Sequence, residues 1–282
     1  MVGVAAAEPS PCALEAGGTR TVVRVLDGET IALDDGAEVR LIGALSPRAT
    51  DAAAEFAAWP LAAVAQGELE RLVLGKSVEL GFAGRRTDRH GRLLAHVFVI
   101  AAESRIWVQG HMLKAGLARA YSLPENTACM DEISSHEQLS RESRAGLWAD
   151  AAYRIRSADD VFELLRFRST YQIVEGRVLN VADVRGRIFL NFGADWRRDF
   201  TVSIHGPARR LTSGLGLEPK SLEGRAVRVR GWIDRRGGPF VGVHHPHQIE
   251  ALEAGRAAAP AEPSLSAPRS RSRARARAAS AP

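Results

Sequence analysis

Residues 21–42 carry the feature that most constrains this chain: two Asp-Gly pairs, Asp27-Gly28 and Asp35-Gly36, between short runs rich in β-branched residues. An Asp-Gly pair readily takes the positive φ angles that a tight hairpin turn demands. The runs 21–26, 29–33 and 38–42 are therefore expected as a three-stranded meander with very short turns. Residues 51–74 are Ala-rich and apolar at helical spacing, with Asp51 as N-cap, Gly75 as stop and Pro60 as a kink or break. Segments 76–82 and 93–100 read as strands joined by a basic loop, and 106–116 and 130–144 as helices. Strands followed by helices that pack on them predict an α+β domain.

From residue 169 the pattern turns to pure β, with strands expected at 171–179, 187–192, 199–204, 226–233, 239–243 and 248–252 and a helical segment near 207–211. Such a set in one small domain suits a Greek-key barrel of the OB type. The expected organisation is a leader at 1–18, an α+β domain at 19–152, a linker helix at 153–168, an OB-like barrel at 169–253 and a tail at 254–282.

Charge is unevenly placed along the 282 residues. The net +5 arises beyond residue 255, where six Arg face one acid, Glu262; residues 1–156 hold 17 basic and 20 acidic side chains, and residues 157–255 hold 15 and 12. Any electrostatic pull on a polyanion is thus expected mostly from the C-terminal half and the Arg/Ala/Pro/Ser tail, whose composition predicts disorder. No run approaches the ~18 apolar residues of a membrane-spanning helix. Cys12 and Cys129 are too far apart in sequence for a clustered metal site. Ala5-Ala6-Ala7 is a small-residue pattern like that of a signal-peptidase site, so residues 1–18 are expected as the remnant of an export signal. That places the protein in the periplasm or outside the cell, where the two cysteines could pair; the alternative is a cytoplasmic protein with two free thiols.

Five ordered pieces carry a resemblance. They are Asp27-Gly28-Glu29-Thr30, then Arg40 through Pro47, then Thr87-Asp88-Arg89-His90-Gly91-Arg92, Gly116-Leu117-Ala118, and Gly146-Leu147-Trp148. Over about residues 20–150 the chain resembles the staphylococcal nuclease (thermonuclease) family. The resemblance implies an OB barrel with packed helices and phosphodiester hydrolysis. In the family a calcium ion and two arginines stabilise charge on the phosphate while a glutamate activates water. Arg40 and Arg92 match the two arginines, which would be the phosphate contacts of an active enzyme.

Other positions depart from the family pattern. Glu29 stands at the first calcium aspartate, Leu45 at the second, Ser46 at a threonine that offers a backbone carbonyl, and Arg48 at the general base. A guanidinium cannot take a proton from water near neutrality. The metal site is therefore read as Glu29 with little support, and no cofactor is expected although calcium is the family's ion. Asp51, Glu55, Asp27 or Glu38 could take over the lost chemistry, against their ordinary readings as cap, solvated side chains and turn former. Arg48, Arg86, Arg89, His90 and Tyr121 are candidate nucleic-acid contacts on the first domain, and Trp196, Arg197 and Arg198 on the second, where Phe189, Phe200 and Trp232 read as core. His244, His245 and His247 read as a polar loop around Pro246, with a transition metal the sharper alternative. The leading function is binding of single-stranded DNA or RNA on a nuclease scaffold. The alternatives are an active phosphodiesterase with relocated groups and a scaffold or envelope interaction protein.

Overall fold

The computed structural model describes residues 12–49, 59–101, 104–204, 206, 208 and 218–252. The tail at 254–282, the cap at Asp51, Glu55 and most of the helix expected near 207–211 lie outside the described residues.

The meander forms, although of the two Asp-Gly pairs only Gly36 takes a positive φ (84°) and the turn at Gly28 does not. Strands β1 (Glu15–Asp27), β2 (Thr30–Leu33) and β3 (Glu38–Leu41) pair antiparallel in sequence order. After β4 (Gly43–Leu45) comes helix α1 (Ala62–Val73), followed by β5 (Ser77–Phe82) and β6 (Leu93–Ala101). β5 pairs with both β1 and β6, and β6 returns parallel to β3. The strands thus close a barrel in which the first pairs with the second and fourth, and the third with the fifth in parallel. Its interior holds Val22, Ile31, Val39, Leu41, Val78, Leu80 and Val97, and α1 covers one end with Ala65, Leu69 and Leu72 at helical spacing.

β7 (Ser104–Trp107), α2 (Val108–Lys114), β8 (Arg119–Tyr121) and α3 (Met130–Glu142) complete the first domain. The helix expected at 106–116 is shorter because Trp107 pairs with Phe98 in the sheet. Pro60 lies just outside a helix, since α1 starts after Leu61 in a left-handed conformation (φ 64°), and residues 51–58 of the expected run lie outside the described residues. The leader boundary needs correction. Residues 15–18 belong to β1, where Glu15 pairs with Phe82, and Cys12 is joined to Cys129 in a disulfide with Cα atoms 5.2 Å apart.

Residues 153–168 are not one linker helix. A two-residue strand β9 (Arg156–Ser157) pairs parallel with the second barrel, Tyr153 closes a short 3-10 turn, and the α-helical part is α4 (Val161–Arg166), capped by Asp160 accepting from Glu163 N–H at 2.9 Å. Arg156 holds this segment: it is buried, donates to Gln172, Glu163 and the Ala152 carbonyl, and lies 3.4 Å from the Phe167 ring centre.

The second barrel comprises β10 (Tyr171–Arg177), β11 (Asn180–Val184), β12 (Arg187–Asn191), β13 (Thr201–Ile204), β14 (Ala226–Trp232), β15 (Asp234–Arg236), β16 (Gly238–Val243) and the short β17 (Ile249–Ala251). β10 and β11 act as one bent first strand; β12, β13, β14–β15 and β16 follow as second to fifth. First pairs with second and fourth, and third runs parallel to fifth. The connectivity of the first barrel is repeated, with Val174, Val181, Leu190, Phe200, Val202, Val229 and Val241 inside.

A polar clamp joins the barrels. Glu137 on α3 is fully buried and accepts from Arg230 on β14 at 2.7 Å and from the Ala120 backbone N–H at 2.8 Å. Arg119 donates to the Tyr171 carbonyl at 2.7 Å, and the Tyr171 hydroxyl donates to the Ala120 carbonyl at 3.0 Å. Breaking a buried ion pair on one side strands the other charge, at roughly 3–5 kcal/mol. Glu137→Gln is therefore expected to lower unfolding free energy by about that amount, measured by urea denaturation; a change within error would sink the clamp.

His96 provides a second test. It is 1% exposed, against Trp107, and burial pushes its imidazole down to about 4. The unfolded chain takes up this proton first, so the contribution of His96 is complete above its ordinary value of about 6.5 and is lost as pH falls toward 4. Between neutrality and pH of about 4.5 that loss is roughly 2 kcal/mol. A His96→Asn chain should show a correspondingly shallower decline of urea midpoint with pH, and an unchanged slope would refute this assignment.

Candidate functional site

Three segments converge on the carboxylate of Glu29. Asp27 Oδ1 accepts from the Glu29 backbone N–H at 2.9 Å and so fixes the turn after β1. A Cβ on Gly28 would stand 2.8 Å from Ser46 Cβ and 3.0 Å from Ala65 Cβ. Only a bare backbone lets the segment after β4 lie so close to the turn. Ser46 N–H then donates to Glu29 Oε2 at 3.2 Å. Arg40, opposite Thr30 in the β2–β3 register, brings Nε to 3.2 Å from Glu29 Oε1, and Arg48 brings Nη1 to 3.4 Å from the same oxygen. Glu29 is wholly buried, while the two guanidiniums are 17% and 23% exposed. Burial pushes the Glu29 carboxyl above its ordinary value, and Arg40 and Arg48 pull against that rise.

β4 aims the segment that bears Arg48. Gly43 opens it with φ 83°, and a Cβ there would meet Ile133 Cδ1 at 2.0 Å, so both backbone and packing demand glycine. β4 pairs with β8, setting Gly43 against Tyr121 and Leu45 against Arg119. Arg40 consequently lies 5.7 Å from the centre of the Tyr121 ring.

The second motif folds as a turn around Asp88. Its Oδ1 accepts from the backbone N–H groups of His90 and Arg92 at 2.8 and 3.0 Å; its Oδ2 accepts from Arg92 Nε at 2.8 Å. Burial raises the Asp88 carboxyl, but the Arg92 side chain and the two backbone donors outweigh it and hold the group below its usual range. Parallel pairing of Arg40 with Leu94 lays this turn alongside β3.

Glu29, Arg40, Arg48 and Tyr121 are thus in mutual contact or one neighbour apart, while the Arg92 side chain, on the turn after β5, pairs with Asp88. The other candidates are not gathered there. Arg86 pairs with Glu15 at 2.5 Å and covers the Phe82 ring. Arg89 and His90 form an exposed pair of their own, 3.0 Å apart. Trp196 is 56% exposed with Arg197 over its ring, and Arg198 is exposed beside it, all on the loop between β12 and β13. Of the three expected core aromatics, Phe200 is fully buried and Phe189 half-buried, but Trp232 is 46% exposed. It ends β14, where alternation no longer specifies which face has a partner. In the histidine loop, buried His245 caps a short turn with Gln248, and His247 sits 3.8 Å from Asp131. Among the described residues no group of three or more His, Cys, Asp or Glu side chains is placed to hold a metal ion.

The family model for staphylococcal nuclease homologues matches residues 38–150. An uncharacterized endonuclease of Escherichia coli is 32% identical over 130 residues, covering 46% of this chain and 76% of that protein. The chain belongs to the staphylococcal nuclease family. Two other family-related proteins show the range of the likeness. Endonuclease YncB of Bacillus subtilis is 36% identical over 86 residues, 30% of this chain and 39% of its own. The thermonuclease of Staphylococcus hyicus is 27% identical over 135 residues, 47% of this chain and 76% of its own. The family match begins at β3, so Glu29, which closes the site from the other side, lies before the matched segment.

Sequence reasoning missed the pairing of Glu29 with Arg48. The signal was available, since a buried carboxylate on a nuclease frame needs a counter-ion and Arg48 is the charge substituted nearby. Replacing Glu29 by Gln leaves two partly exposed guanidiniums facing each other. Because water screens them, the expected loss is about 1–3 kcal/mol, below that of a fully buried pair. A denaturant midpoint equal to that of the parent chain would show the Glu29 cluster to be energetically idle.

Proposed function

We propose that this protein binds single-stranded nucleic acid through phosphate contacts at Arg40 and Arg92 and does not cut it by the calcium-assisted route. The observation that carries the reading is that both carboxylate oxygens of Glu29 are already engaged. Its Oε1 faces two guanidiniums and its Oε2 a backbone N–H. Calcium takes six to eight oxygens and draws most of its affinity from carboxylates. Leu45 offers no donor and is 4% exposed, and Asp27 is engaged by the Glu29 backbone. Arg48 also sets a positive charge beside the oxygen that a cation would need. The described residues do not fit calcium.

These side chains can still hold an anion. Arg40 meets Glu29 through Nε, leaving two terminal amino groups for a phosphate, and Arg92 is kept rigid by Asp88. Tyr121 beside Arg40 supplies an aromatic surface for a base. A guanidinium at position 48 accepts no proton, so water activation by that residue is excluded. The relatives' names favour a second reading, endonuclease activity with another group as base. Asp51 and Glu55, close to Arg48 in sequence but outside the described residues, are its candidates. The Cys12–Cys129 disulfide supports a periplasmic or secreted location, since such bonds persist in oxidising compartments.

The test is a titration of labelled single-stranded DNA and RNA at low salt, with and without calcium. Arg40→Ala and Arg92→Ala should each weaken binding and reduce the salt dependence by about one phosphate contact. No calcium-dependent products are expected. Cleavage abolished by Arg92→Ala would establish the enzyme reading, and neither binding nor cleavage would favour a scaffold.

A further inference from the structure

Between the two barrels lies a cleft of about 370 Å³ whose second-barrel wall has no part in the site above. Tyr121 at the end of β8 contributes one wall. The opposite wall is the second barrel, with Arg187, Trp232, Asp234, Arg236 and Phe240. Its chemistry is that of neither a core nor an ordinary polar surface.

Trp232 is almost half exposed although the five residues before it on β14 are buried. It is nevertheless held in place, edge-on to Tyr171 with ring centres 6.0 Å apart. Tyr171 in turn meets Tyr121 edge-on at 5.4 Å, and Arg40 stands 5.7 Å from Tyr121. An unbroken run of rings therefore leads from the Glu29–Arg40 cluster to the cleft. On the far side Arg236 lies 4.3 Å from the Phe240 ring centre. Its contact with Asp234 is long, 3.7 Å, with both side chains 57% exposed. Such a pair contributes little and exchanges readily with another anion. Arg187 is exposed as well.

A fixed, exposed aromatic face flanked by guanidiniums matches an anionic chain that carries flat, unstacked rings. We propose that the cleft is a second subsite, in which bases of a single strand running on from Arg40 stack against Trp232 while Arg187 and Arg236 meet its phosphates. The proposal rests on the nucleic-acid reading of the Arg40 site and extends it to the second barrel. Duplex DNA, whose bases already stack on one another, offers no free ring face to Trp232.

The full chain is titrated with oligothymidylates of about four and about twelve nucleotides, lengths within the footprint range of such barrels. The longer strand should bind at least about tenfold more tightly, and Trp232→Ala should remove about tenfold of its affinity while changing the shorter strand little. Trp232→Phe keeps a ring, so it should retain most of the affinity yet lose most of the fluorescence quenching seen with the parent chain. Arg187→Ala with Arg236→Ala should weaken the longer strand and lower its salt slope by about two. Should Trp232→Ala fail to fold, the phenylalanine and double-arginine variants decide. Parent-like affinity for the longer strand in the Trp232→Ala and double-arginine chains, with Arg92→Ala still weakened, overturns the cleft and leaves the Arg40 site standing. Equal affinity for duplex and single strand also overturns it. Absence of binding to any oligonucleotide overturns both.

Discussion

The fully buried carboxylate of Glu137 is the constraint on which the rest of the molecule turns. A charge removed from water must find compensation nearby, and here it comes from Arg230 of the other barrel, from Arg141 one turn along α3 and from the backbone of β8. The same contact therefore docks two barrels and fixes one strand. β8 pairs with β4, and β4 runs directly into Ser46 and Arg48. The position of the guanidinium facing Glu29 is thus inherited, through two short strands, from the junction between domains. The disulfide reinforces this arrangement by tying the chain ahead of β1 to Cys129, the residue just before α3. Closing a loop of 117 residues restricts the unfolded chain, by about 5 kcal/mol in the chain-entropy account.

Two barrels of identical connectivity fill different positions in this scheme. The first carries the family's motifs and a carboxylate buried among arginines. The second lines the cleft facing the first with an exposed tryptophan and two arginines. Its strand β14 shows how this is done. Val227 and Val229 point into the barrel, while Arg228 and Arg230 point out and are nevertheless buried. Arg228 is spanned by its cross-strand neighbours Glu175 and Glu250, and Arg230 by Glu137. One strand thereby completes a core, a surface ion ladder and a domain interface.

Local rules made much of this legible. Asp-Gly turns fixed the meander, the apolar spacing of 130–144 marked α3, and motifs at known intervals placed Arg40 beside the Asp88 turn. What escaped was decided at a distance. Alternating Val and Arg in β14 looks the same whether the arginine face meets water or another domain, so Arg230 could not be recognised as an anchor. Trp232 looked like core for the same reason in reverse. The stretch 153–168 has enough apolar residues for a helix, but Arg156 finds its partners on a neighbouring strand and that pairing wins. The site was legible as residues and illegible as an arrangement, because the sequence tells which charges are present and not which of them neutralise one another.

The partnership of Arg48 with Glu29 also bears on what the protein can sense. A bound metal ion comes and goes with its concentration outside the protein, and a chelator can strip it away. A guanidinium on the main chain has no dissociation constant and stays protonated across the physiological range. The positive charge that Arg48 places beside Glu29 is therefore part of the chain itself. A charge fixed to the main chain in this way cannot be switched by the concentration of a soluble ion.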